Sequence, residues 1–169
     1  MGTGIYIIDA VIIACIILPF IFIITGRRKR ESTLRKILQF EAAQNNCNLD
    51  EMEIHNSFAI GLDTEAKKLL FRKTTALKKY TQIINLSTVE HCEFLKITRS
   101  VKTKTKGEKV IEKLHLTFIH NNGQRTSILE FYDHEDEMIL DDAVITGEAW
   151  ERKINLLLLS GSMGFSVAR

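Results

Sequence analysis

The sequence predicts an α+β protein: an N-terminal transmembrane helix, then an antiparallel β-barrel or sheet of about six strands, then a C-terminal amphipathic helix. Three observations predict it. An apolar run fills residues 5–25 and stops at Arg27-Arg28-Lys29-Arg30. Between residues 51 and 133, short apolar runs alternate with turn residues at strand spacing. Near the C-terminus, Trp150, Ile154, Leu157 and Leu158 recur at helical spacing.

The run from Ile5 to Thr25 carries one charge, Asp9. At 1.5 Å per residue it reaches about 31 Å, the thickness of a hydrocarbon core. None of the 23 Lys and Arg residues precedes Arg27. The positive-inside rule therefore places Arg27, Arg28, Lys29 and Arg30 in the cytoplasm, with residues 1–4 outside. The expected localisation is the cell (inner) membrane, single-pass, with a cytoplasmic C-terminal domain. A cleaved signal peptide fits poorly, because the basic cluster lies at the wrong end and no small-x-small exit follows. Asp9 is read as an interfacial residue reached by water, with contact to a partner helix as the sharper reading.

Residues 26–48 read as a basic juxtamembrane stalk helix. Leu34, Ile37, Leu38 and Phe40 recur among charges, and Asn45-Asn46 supply a stop. The apolar stripe packs on the following domain or touches anionic lipid.

Residues 49–160 form the folded domain, followed by a tail at 161–169. Phe58, Ile60 and Leu62 alternate with small or polar residues. Further strand-like runs are Leu69–Phe71, Gln82–Leu86, Val89–Arg99, Val110–His120 and Arg125–Tyr132. Leu114, Leu116 and Phe118 share one strand face, and Lys113, His115 and Thr117 the other. Asn122-Gly123 is a two-residue hairpin signal. Thr146 is expected to cap the last helix and Ser160-Gly161 to end it. Its apolar stripe must bury itself against a sheet or barrel mouth.

The segments Phe58-Ala59-Ile60-Gly61-Leu62-Asp63, Lys67–Phe71, Gln82–Ser87, Leu129-Glu130-Phe131-Tyr132 and Glu148-Ala149-Trp150 carry a resemblance. Over roughly residues 50–160 the chain resembles uncharacterised bacterial single-pass membrane proteins with a pleckstrin-homology-like (PH-like) cytoplasmic domain. The resemblance implies a PH-like fold and no active site, since its motifs are structural.

The search for chemistry returns little. Cys15, Cys47 and Cys92 lack CxxC spacing, and a disulfide between Cys47 and Cys92 is disfavoured by the reducing compartment. None of His55, His91, His115, His120 and His134 has a recognised metal spacing. His91 and Cys92, adjacent on a strand, point to opposite faces. The cluster Asp133, Glu135, Asp136, Glu137, Asp141 and Asp142 lacks a calcium-loop pattern and reads as a solvated loop. No Walker loop or GxGxxG occurs, and no catalytic residue, cofactor or metal is expected.

The most suggestive polar feature is a basic hairpin: Lys96, Arg99, Lys102, Lys104, Lys106 and Lys109, with Glu108 the lone acid among them. It reads as a contact for anionic lipid or a protein partner, against the plainer reading of solvated edge lysines. With 20 acids facing the 23 bases after residue 26, the domain is too weakly basic for nucleic-acid binding. The expectation is a membrane-anchored, non-catalytic binding or scaffold module. The alternative is an accessory subunit of an integral membrane complex, engaged through the transmembrane helix.

Overall fold

The computed structural model describes the backbone of residues 3–102, 107–121, 126–137, 140 and 142–163. Side chains at 3–11, 20, 22–24, 27, 101–102, 107–108 and 161–163 are not described. The first element is one long helix, α1 (Thr3–Gln44). It runs without a break through Pro19 and Gly26. Its end follows from asparagine chemistry. Asn46 takes φ 51°, a left-handed conformation that asparagine tolerates. Cys47 N–H then donates to Ala42 O and Asn46 N–H to Ala43 O, satisfying two of the last helical carbonyls.

This helix corrects the membrane expectation. Among the described residues no helix is long and apolar enough to cross a membrane. The transmembrane helix at Ile5–Thr25, the single-pass placement in the inner membrane and the orientation assigned to Arg27–Arg30 are therefore not carried by the structure. The helix expected over residues 26–48 is continuous with the turns before it, and its apolar stripe packs on the domain that follows. The C-terminal half of α1 is a core element.

Two antiparallel sheets follow. Sheet A has the order β1-β2-β3-β4: Glu51–Ile54, Phe58–Asp63, Lys68–Thr74 and Lys79–Asn85. A 3₁₀ turn, Leu86–Thr88, leads to sheet B, order β5-β6-β7: Val89–Lys102, Gly107–His120 and Thr126–Asp133. The last element is α2 (Ala143–Met163). Seven strands stand where about six were expected. The extra one is β1, whose four residues are too short for a firm alternation.

Alternation assigns each strand face. Phe58, Ile60, Leu62, Leu69 and Phe71 of sheet A meet Leu114, Leu116, Phe118, Leu129 and Phe131 of sheet B in one core. Phe131 stacks centrally, with ring centroids 4.7 Å from Phe58 and 5.6 Å from Phe71. The outer face of sheet A is covered by α1. Leu34, Leu38 and Ala42, spaced by four, bury against Ala59 and Leu70. Gly61 permits this approach: a Cβ there would lie 2.8 Å from Leu49 Cδ1 and 3.3 Å from Leu38 Cδ2.

Helix α2 closes the opening between the edges of β1 and β5. Trp150 and Ile154 enter the core. Asn155 stands in for a missing neighbour strand, accepting from Cys92 N–H at 3.0 Å and donating to Cys92 O at 2.8 Å. Glu151 accepts from Phe94 N–H at 3.0 Å. The helix begins three residues before the expected cap. Thr146 lies inside its first turn, donating its N–H to Asp142 O, and the helix continues past Ser160-Gly161 to Met163.

Candidate interaction surface

Of three polar clusters in the fold, two are fastenings. The first joins β1 to α2. His55 Nε2 lies 3.0 Å from Glu53 Oε1 and 3.2 Å from Thr146 Oγ1, and Trp150 Nε1 donates to Glu53 Oε2 at 2.7 Å. Hydroxyl and carboxylate meet the same ring nitrogen. A nucleophile–base–orienter relay needs them on opposite nitrogens, so the cluster docks the helix.

The second fastening is the acidic loop. The reading as a solvated loop is corrected for Asp133, Asp136 and Glu137. Lys73, fully buried, donates to Phe131 O at 3.0 Å and to Glu137. Thr75 donates to Asp136. Lys78 bridges Glu130 and Asp133, each at 2.7 Å, and Lys113 reaches Asp133 at 3.1 Å. Burial alone would raise the Asp133 carboxyl, but donors from Lys78, Glu135 N–H and Lys113 outweigh it and hold it at about 2. The same balance runs in mirror image at Lys78: burial would lower its ammonium, and the carboxylates of Asp133 and Glu130 raise it instead. These groups lock the β3–β4 turn of sheet A to β7 of sheet B. Asp141 lies outside the described residues.

The cysteines offer no nucleophile. Burial pushes the Cys92 thiol up to about 12, with Glu151 adding to it, which leaves almost no thiolate at neutral pH. Burial also raises Cys47. All three cysteines are free thiols. Among the described residues, no group of three or more His, Cys, Asp and Glu is placed to hold a metal ion.

The third feature is the basic hairpin. β6 pairs with β7 only from Lys113 to Ile119, whereas β5 and β6 stay paired out to Lys102 and Gly107. The last five residues of β5, Thr98 to Lys102, therefore run with β6 as a two-stranded arm past the end of β7, about 17 Å long. A register shift between Ile97 and Thr98 marks its root, consistent with a bulge. Lys96, before the root, pairs with Glu148 of α2 at 2.5 Å. Arg99 and Lys109 are exposed and make no ion pair with a described residue. Lys102 ends β5, its side chain not described; Lys104 and Lys106 lie outside the described residues, as does the Asn122-Gly123 turn. Of the N-terminal basic cluster, Arg28, Lys29 and Arg30 are exposed on α1. Arg30 donates to Thr74 O at 3.1 Å, tying α1 to the end of β3.

Sequence reasoning did not single out the outer face of sheet B. It is readable from the alternation of β6: if Leu114, Leu116 and Phe118 face inward, His115 and Thr117 face out. Burial lowers the His115 imidazole, against an opposing pull from Glu130.

No protein-family model matches the chain, and no curated protein or solved structure is similar to it.

Proposed function

We propose that this chain is a non-catalytic binding module that engages an acidic protein partner through the β5–β6 arm. The observation that carries this reading is the arm itself. Between residues 97 and 113 the chain has six basic and two acidic side chains, on a ribbon extending past the third strand of its sheet. Two-stranded ribbons are marginally stable alone. Here the root is held by the Lys113–Asp133 pair and by Ile111 against the core. A held base with Arg99 and Lys109 beyond it, both exposed and in no ion pair with a described residue, suits recognition of carboxylates, where charge raises on-rate and selects partners. The deeply buried, high-pKa Cys92 and the structural use of the acidic loop support a non-catalytic role.

The test uses the full chain with Arg99→Glu and Lys109→Glu together. Both side chains are exposed, so the melting temperature should stay unchanged. Proteins that co-purify with the parent at physiological salt should be lost. Retention of the same partners by the variant contradicts the reading.

A further inference from the structure

A cleft of about 720 Å³ opens beside the first residues of β5, at the far end of that strand from the arm. The volume lies within the roughly 300–1,000 Å³ of small-molecule sites. Its floor is apolar. Leu86 lines it from the 3₁₀ turn, Val89 from the start of β5, and Leu157 and Leu158 from α2. All four belong to the main core or pack on it, so the floor is a fixed wall. The rim is polar, and two rim residues carry opposite charges, Lys67 and Glu90.

Irregular backbone brings both charges there. Lys67 stands in the β2–β3 turn at φ 50°, a left-handed conformation unfavourable for lysine. Two hydrogen bonds hold it. Lys67 O accepts from Leu86 N–H at 2.8 Å, and Ala66 N–H donates to Asp63 Oδ1 at 2.7 Å. Its neighbour Lys68 is committed elsewhere, donating to Asn45 O at 3.1 Å. Glu90 is the extra residue of a bulge. Val89 pairs with His120 and His91 with Ile119, which leaves Glu90 unopposed. Neither Lys67 nor Glu90 makes an ion pair with a described residue. An ammonium and a carboxylate thus share the rim of one apolar cleft without meeting each other. That arrangement matches a ligand that carries both charges on an apolar body.

We propose that this cleft binds a short apolar peptide with both ends free, its carboxylate on Lys67, its ammonium toward Glu90 and its side chains on Leu86, Val89, Leu157 and Leu158. The floor draws on three elements, more than one side chain covers, so a dipeptide fits better than a single amino acid. The site is separate from the arm and does not rest on the arm-binding reading.

The test titrates the full chain with the dipeptide Leu-Phe by isothermal calorimetry. N-acetyl-Leu-Phe, which lacks the ammonium, and Leu-Phe amide, which lacks the carboxylate, are the controls. Leu-Phe should bind at least tenfold tighter than either. Lys67→Gln should weaken Leu-Phe tenfold or more and leave the amide unchanged. Glu90→Gln should weaken Leu-Phe as much and leave the acetylated form unchanged. Neither side chain belongs to the core, so melting temperatures should match the parent. No binding of Leu-Phe, or equal binding of all three forms, overturns the proposal. So does a weakening that ignores which end is blocked. Binding lost on Arg99→Glu with Lys109→Glu, and indifferent to Lys67→Gln and Glu90→Gln, places the peptide on the arm and overturns the cleft.

Discussion

Asp133→Asn is the sharpest test of how the two sheets are held together. Asp133 is 2% exposed and accepts from Lys78 at 2.7 Å and Lys113 at 3.1 Å. Its carboxyl is held at about 2 in the fold, against 3.8 ordinarily. Because the folded value is the lower one, the contribution is complete above about pH 4 and is lost as pH falls toward 2. The difference amounts to about 2 kcal/mol at pH 7, after allowing for solvent screening at the one-third-exposed Lys78. About 1 kcal/mol of it should survive at pH 3. Urea unfolding of parent and variant at both pH values measures this, with m-values checking that the same surface unfolds. The variant should be less stable by about 2 kcal/mol at pH 7, and the gap should narrow by about 1 kcal/mol at pH 3. A gap that is the same at both values, or no gap at all, refutes the assignment of the lock to the Asp133 carboxylate.

Other perturbations test other joints. Gly147→Ala should destabilise by about 1–3 kcal/mol despite the better helix propensity of alanine. The added Cβ would lie 2.1 Å from Phe94 Cε2, and Phe94→Leu should relieve most of the cost in a double-mutant cycle read by chemical denaturation. Leu38→Ala, at a fully buried site between α1 and sheet A, should cost about 2–5 kcal/mol; a cost under about 0.5 kcal/mol would show that α1 does not dock there. Iodoacetamide at pH 8 should alkylate the exposed Cys15 readily and spare Cys47 and Cys92 until the chain is unfolded, as peptide mass spectrometry will show; native-state labelling of Cys92 contradicts its burial.

Much of the β architecture was legible because one face of each strand is dry. Leu114, Leu116 and Phe118 alternate so regularly that β6 and its inward face follow from sequence alone. The end of α1 at Asn45-Asn46 was legible for a local reason, the tolerance of asparagine for a left-handed backbone. The start of α2 was not, because Thr146 is a good capping residue that tertiary packing uses otherwise, against His55. The N-terminal apolar run was misassigned as a membrane span from its length and flanking charges, whereas the packing of the next stripe on the domain was legible in Leu34, Leu38 and Ala42. Those residues make the following turns of the same helix part of the sheet A core. The acidic loop was read as solvated because its partners, Lys73, Thr75 and Lys78, stand more than 50 residues away in the chain. No periodicity reports a pairing at that distance. The basic hairpin was visible as composition; only the pairing limits of β6 and β7 reveal that its outer half stands clear of the sheet.

The central claim is that the arm is the surface by which the chain binds. Site-specific photo-crosslinking in living cells tests it most directly, with a photoreactive residue placed in turn at Arg99, at Lys109 and, as a control, at Leu156 on the exposed side of α2. The account predicts a discrete protein adduct from the two arm positions and none of that size from Leu156. Adducts that are equally frequent at all three positions, or present at Leu156 alone, would contradict it.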